Sequence, residues 1–387
     1  MISLGLTAAQ QREFHAVLAG SYSVDIVVRV MDLNRRYLAD ISERLYDGQV
    51  NVDGDADITR TATLSLRDPD HALLWDTNSP SDGSLFVDRL VSILYVITAP
   101  YPARLTYSVP IFAGPVTKAS RTADVVNVEA SGMEHLVLPP TVAWFTKTYN
   151  KGVKKSTLVR TIMSELGTET KFQIPDWPET TAAPVTLVHN SNIWAVAKSV
   201  VGSRATNHLF YDGRGVCVLR KTPYTSTFAF RSGDGGTIIT EPQVNYDMAD
   251  VRNTVRVVGA VPTGKKTPVS ATVTAPRSHP LSTFSLGRNG RQRVILEEVE
   301  DDHLKTAAQC KELAQSRVDW LLQQSVDVTF DARVVPHLEP EDVYTIHTPD
   351  FSFTARVKRL TIPLKSGPMS VGYNVKRSTN AARIRKR

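Results

Sequence analysis

A chain of 387 residues, 42% hydrophobic and 22% charged, has room for about two to four domains with real cores and the make-up of an ordinary globular protein. Two distant cysteines, Cys217 and Cys310, give neither a disulfide framework nor a zinc pattern, and no apolar run is long enough to span a bilayer. The net charge of +6 is matched by Lys376, Arg377, Arg383, Arg385, Lys386 and Arg387 near the C-terminus; a basic tail on a neutral body is not the charge pattern of a nucleic-acid-binding domain.

The N-terminus lacks the basic leader and apolar core of a secretory signal. Thr7 and Gln10 instead form a capping box, and Gly20 suits a helix stop, which predicts a short amphipathic helix over 1–20. Residues 21–135 are dominated by strands. Val24, Ile26, Val28 and Val30 alternate along one face, 89–97 is a more fully buried run, and 125–130 alternates again. Turn-forming clusters between these runs predict a closed or nearly closed antiparallel sheet.

One stretch in this region, "NVDGDADITRTATLSLRDPD" (51–70), spaces Asp53, Asp55 and Asp57 as the first ligands of a calcium loop would be. The glycine and glutamate that such a loop needs are replaced by Ile58 and Leu64. Read with a period of two, Ala56, Ile58, Ala62, Leu64 and Leu66 share one face, and Arg60 alone breaks the pattern. The stretch is a half-buried strand.

Between about 150 and 240 the character changes. Leu158, Val159, Ile162, Met163 and Leu166 make a helical stripe, with Ser156 as the expected cap and Gly167 as the stop. A second helix is expected from Asn190 or Ser191 to Gly202. "HLFYDGRGVCVLR" then predicts a hairpin in which Leu209 and Tyr211 face Val216 and Val218 across the Asp212–Gly215 turn. "RSGDGGT" (231–237) has the composition of a turn and lacks the spacing of a phosphate loop.

Strands return from 243, with a loop rich in Pro, Gly and Lys to about 292. An amphipathic helix is expected over 303–324, carrying Ala307, Cys310, Ala314, Val318 and Leu321 on one side. In 351–364 the apolar residues move from Phe351, Phe353, Ala355 and Val357 to Leu360, Ile362 and Leu364, the signature of a β-bulge.

Two features invite an enzymatic or sugar-binding reading. Glu297, Glu298, Glu300, Asp301 and Asp302 could pair as carboxylates for glycoside hydrolysis, but their place before the 303–324 helix predicts that Asp301 or Asp302 caps it. Tryptophans 75, 144, 177, 194 and 320 could stack on sugars, with core packing the default for Trp194 and Trp320. The nine histidines show no metal-ligand spacing, and both cysteines are expected to be buried hydrophobes. No catalytic, cofactor-binding or metal site is expected.

The order of pieces resembles the tail hub proteins at the tip of long-tailed bacteriophages and the related baseplate hubs of contractile tails. The resemblance rests on "DADITRTATLSLRDPD", on "NIWAVAKSVVGSRATNHLFYDGRGVCVLRKTP", on "DVRNTVRVVGA", and on "AAQCKELAQSRVDWLLQQS" followed by "VDVTFDARVVPHLEPEDVYTI". In the last, the family more often has glycine where Glu341 precedes Asp342. The resemblance implies a mainly β protein with an N-terminal helix (1–20) and two antiparallel tube-type β-barrels. These lie at 21–140 and at 243–378, the second with the helix 303–324. They flank a small α+β domain (141–242), and a basic tail (379–387) follows. It also implies a non-enzymatic structural protein of the virion tail tip, made in the host bacterial cytoplasm. A homotrimer would contact the tail tube or distal tail ring, the tape-measure protein and receptor-binding or fibre proteins. Nucleic acid would be met at most transiently, through the lumen or the basic tail. Residues 376–387 hold too little apolar content to fold alone. The competing readings are a tail-associated cell-wall glycan hydrolase and a carbohydrate-binding module.

Overall fold

The computed structural model describes residues 4, 6–74, 84–85, 89–100, 105–139, 143, 145–167, 169–181, 183–202, 207–223, 225–233, 235–246, 251–262, 264, 266–301, 304, 306–324, 326–349 and 352–376, with backbone alone at 244–246, 320, 323, 324, 326, 327, 353 and 373–376. The basic tail, Asp302, Trp75, Trp144 and Phe351, all singled out above, lie outside the described residues.

The protein is mainly β, with four α-helices among the described residues. The N-terminal helix Ala8–Ala19 begins as the sequence predicts: Gln10 N–H donates to the Thr7 hydroxyl, and the Gln10 side chain accepts from Thr7 N–H. Phe14 and Leu18 pin it to the main core. Gly20 ends it in an extended rather than left-handed conformation.

The first β region is built of antiparallel strands as expected, but Ala56 and Ile58, read on the buried face of a strand, lie in the turn before it, and Val24 is exposed. In Arg60–Arg67 every second residue is buried, and Val28, Val30, Val91, Ile93, Tyr95 and Ile97 turn into the same core. The expected barrel does not form as a closed ladder. A single sheet of thirteen strands runs through both β regions, and no sheet closes into a barrel among the described residues. The two regions are joined where Leu45–Asp53 pairs antiparallel with Ser352–Pro363, Asp53 opposite Arg359 and Val50 opposite Ile362. The bulge expected from the apolar shift lies here, between Val357 and Arg359. It lets a twelve-residue strand pair with Val343–His347 at one end and with Leu45–Asp53 at the other. Ala355, Val357, Leu360 and Ile362 all still face one common core.

The segment just before the second β region packs onto its strands. Phe228–Arg231 pairs parallel with Val343–His347, and the chain returns at once through the 232–236 turn. Ile238 N–H then donates to Arg231 O, and Ile239 N–H to Asp331 O on the strand Val326–Ala332. The described residues of "RSGDGGT" make a turn, with Gly236 N–H donating to Gly233 O and Gly233 and Gly235 at positive φ.

The middle of the chain has its own core, built on the helices Lys155–Glu165 and Ile193–Val201 and the hairpin Asn207–Tyr211 with Cys217–Lys221. Three local expectations are corrected here. Ser156 is not a cap: it lies inside its helix, and its hydroxyl accepts from Trp177 N–H. The next helix is capped by Asn192, whose side chain accepts from Ala195 N–H, and not by Asn190 or Ser191. In the hairpin, Leu209 pairs with Leu219 and Tyr211 with Cys217. The turn is one residue longer than expected, because Asp212 N–H bonds to Val216 O.

A larger correction concerns 251–324. "VRNTVRVVGA" does not enter the main sheet. Thr254–Val258 pairs antiparallel with Ser270–Thr274 and parallel with Leu296–Glu300. The helix Ala307–Gln324 covers this three-stranded sheet through Cys310, Ala314, Val318 and Leu321. Period-two apolar residues cannot say which sheet a strand will join. The acids 297–300 lie in that sheet and do not cap the helix, which starts later than expected. Thr306 caps it, accepting from Gln309 N–H at 3.2 Å while the Gln309 side chain accepts from Thr306 N–H.

Candidate functional site

Charged side chains that are buried must be paired or neutralised, so their placement shows where the chain invests in fixed geometry. Arg60, the residue that broke the alternation of its strand, is 3% exposed. Its guanidinium donates to Ile111 O at 3.2 Å, to Tyr211 O at 2.9 Å and to Glu339 at 2.5 Å. These partners belong to the first β region, the middle unit and the second β region. One side chain holds all three.

Other groups complete this junction. Glu134, in the short helical turn Met133–Leu136, accepts from Thr59 N–H and Tyr211 N–H. Burial pushes its carboxyl up, and its Oε2 has no hydrogen-bond partner among the described residues. Burial likewise pushes Glu339 up, against the pull of Arg60. Burial also works against ionisation of Asp342, but Arg220 beside it at 2.9 Å overcomes this and holds its carboxyl below the usual range. The turn of the hairpin meets the strand Thr106–Thr122 backbone to backbone, since a Cβ on Gly213 would lie 2.3 Å from Pro110 O. Arg35 and Glu169 form a further buried ion pair between the first β region and the middle unit. Glu341, where the resemblance expects glycine, has φ 67°, the left-handed region that glycine enters freely. Its carboxylate is 3.3 Å from Arg356.

The aspartates spaced like a calcium loop lie just before Arg60 and serve the same junction. Asp53 pairs with Arg359 at 2.9 Å, Asp55 with Lys358 at 3.2 Å and Asp57 with Lys198 at 3.3 Å. Alternate spacing here directs carboxylates to separate cations rather than to one ion. Asp57→Asn should lower stability by less than about 1 kcal/mol in a urea titration, as exposed pairs do. A loss several times larger would give this turn a further role.

Among the described residues, those weighed for catalysis do not converge. Glu297 pairs with Arg317 on the covering helix, while Glu298 pairs with Arg256; adjacent strand residues point to opposite faces. Trp177 and Trp194 are buried and offer no sugar platform. Burial drives the Cys217 thiol well above its ordinary range, so it is no thiolate nucleophile. Among the described residues no three His, Cys, Asp or Glu side chains are grouped to hold a metal. A cleft of about 760 Å³ between the middle unit and the helix Ala307–Gln324 is lined by Lys155, Glu179, Lys221 and Glu312, of mixed charge.

What remains open is sheet edge. Tyr37–Asp40 and Gln243–Tyr246 end the long sheet, each paired on one side only among the described residues. Leu33, Tyr37 and Tyr46 are exposed. No helix among the described residues is long and apolar enough to cross a membrane.

No protein-family model matches the sequence, and no curated protein matches it. Solved structures do. The tail protein from Neisseria meningitidis MC58 superimposes with a TM-score of 0.60 at 7% identity, over 91% of this chain and 97% of that one. The chain has the fold of phage tail proteins. The 43 kDa tail protein of prophage MuSo2 from Shewanella oneidensis matches at TM-score 0.56 and 12% identity, over 92% of this chain and 98% of its own. Prophage tail protein gp18 from Listeria monocytogenes EGD-e matches at 0.57 and 10%, over 92% and 95%. The tail-protein fold therefore accounts for nearly the whole chain. Sequence reasoning marked Arg60 only as an irregularity, named Asp342 only through the resemblance, and missed Glu134 and Glu339. A charge on the buried face of a strand was the one available signal.

Proposed function

We propose that this chain is a structural virion protein, a tail-tip or baseplate hub whose ring closes the end of a phage tail tube. It joins that tube to tape-measure and receptor-binding proteins and takes part in host attachment and genome ejection. The observation that carries this reading is the tail-protein fold over more than nine tenths of the chain in three separate matches. It is a non-enzymatic role, in keeping with a centre built from static ion pairs.

The ring is a homotrimer. Each subunit carries two antiparallel β regions, which we read as tube-type barrels at 21–140 and 243–378. Three copies then present six such units, matching a six-fold tube while keeping a three-fold spike or fibre below. The return of Phe228–Arg231 onto Val326–Ala332 through Ile238 and Ile239 supports the barrel reading of the second. In this reading the barrel at 243–378 also takes in Phe228–Arg231, which pairs with Val343–His347, and its segment 251–324 is an appendage with a sheet of its own. The one-sided edges Tyr37–Asp40 and Gln243–Tyr246 are the natural ring contacts, since closed assembly hides edges that would otherwise aggregate. A cryo-EM reconstruction of the tail tip tests this. Three copies lining the lumen are expected; six copies, or a chain outside the lumen-lining ring, reject it.

A further inference from the structure

The body of the chain is neutral only in sum. From Val251 to Leu296 there are eight lysines and arginines and not one acid. Within this segment the loop from Ala275 to Ile295 projects from the three-stranded sheet, and Arg277, Arg288, Arg291 and Arg293 are all exposed on it. None of the four has a carboxylate partner among the described residues, whereas Arg256 and Arg317 nearby are paired.

The loop is built rather than loose. Ser282 and Thr283 are buried at its base. The fully buried Asn253 donates to Arg293 O at 2.9 Å and accepts from Ile295 N–H at 2.8 Å. The Thr283 hydroxyl donates to Gln292, and Arg293 N–H to Thr283 O. At the tip, Arg288 and Arg291 exchange both backbone hydrogen bonds at 3.0 Å around Asn289 and Gly290, which have φ 54° and 73°. This is a two-residue turn of the type that Asn-Gly favours. Residues paired in this way share one face of the hairpin. Two like charges thus extend from opposed positions on one face, an arrangement that costs stability unless an anion sits between or across them. At the base Arg277 lies over the exposed ring of Phe284 at 4.4 Å.

We propose that this hairpin is a contact site for the phosphate backbone of nucleic acid. Arginine forks match phosphate oxygens in paired hydrogen bonds, a two-stranded tip is narrow enough for the major groove, and an arginine-stacked aromatic is a usual companion of nucleic-acid surfaces. The basic tail is a separate feature, and this site stands apart from the assembly reading above.

The test is fluorescence anisotropy of a labelled duplex DNA with the full chain across a salt series. Wild type should bind at low salt and weaken steeply as salt rises. The triple variant Arg288→Gln, Arg291→Gln, Arg293→Gln should bind at least about tenfold more weakly at low salt, with a salt slope reduced by roughly 2.7, or 0.9 per lost phosphate contact. Its thermal melt should be no lower than that of wild type, since all three side chains are exposed and the like charges at the tip are removed. A chain lacking 379–387 should keep the loop-dependent part of the slope. The proposal is overturned if wild type fails to bind duplex DNA at low salt, or if it binds poly-glutamate but not DNA. It is equally overturned if the triple variant binds like wild type while deletion of the tail abolishes binding.

Discussion

Arg60→Met lowers the free energy of unfolding by about 3–5 kcal/mol, the cost of removing one partner from a buried ion pair. Glu339, 1% exposed, is left without its cation, and the carbonyls of Ile111 and Tyr211 lose a donor in the same substitution. The defect is shared by all three parts, so limited proteolysis should cut first in the segments connecting them. Adding Glu339→Met to Arg60→Met should recover much of the loss, because two apolar groups of similar volume leave no charge stranded. Urea denaturation of the two variants decides the matter. A cost below about 1 kcal/mol for Arg60→Met would show that the junction is not held in this way.

The second large effect is on the acid side of the pH–stability curve. His337 is buried between Phe14, His15 and Phe228, and neither ring nitrogen has a hydrogen-bond partner among the described residues. Burial pulls its pKa down to about 3, the neighbouring His15 adds to this, and Asp342 opposes it. His15 itself is lowered by burial. A histidine lowered in the folded state is neutral there while the unfolded chain takes up a proton below about 6.5. Its stability contribution is therefore complete above that pH and is lost as pH falls toward 3, at about 1.4 kcal/mol per unit. Between pH 6.5 and 4 the loss comes to about 3 kcal/mol. Glu134 and Glu339, raised by burial, act in the opposite direction: they remove stability as pH rises above their unfolded value of 4.5. His337→Leu separates the two. The variant should gain on wild type steadily from pH 6.5 to 4, while the dependence contributed by His15, Asp342 and the two glutamates stays in both proteins. Parallel curves for the two proteins would refute this account.

The parts legible in the sequence were those decided within a few residues. Thr7 and Gln10 cap a helix wherever that helix packs, and the apolar shift across Val357 and Leu360 requires a bulge whatever lies beside it. The errors arose where distant residues decide. Nothing within Thr254–Val258 says that it will pair with Leu296–Glu300 rather than join the long sheet. Parallel pairing, as between Phe228–Arg231 and Val343–His347, has no turn to announce it. Asp301 was a plausible cap by composition, but Thr306 lay closer to the first turn that packs, and packing sets where a helix starts. Arg60 looked like noise because its reasons, at Tyr211 and Glu339, lie 151 and 279 residues away.

The ladder between Leu45–Asp53 and Ser352–Pro363 sets a clock on synthesis. Asn51 and Thr361 are 310 residues apart, so a ribosome adding about 5–20 residues per second leaves the Leu45–Asp53 edge without its second neighbour for on the order of 15–60 s. Through that interval the nascent first region presents an unfilled strand slot to every other nascent copy. A message truncated anywhere before codon 359 would make the slot permanent. Slower growth temperatures, or a chaperone that masks the edge, should therefore raise the soluble yield of the full-length chain and do little for the truncated one.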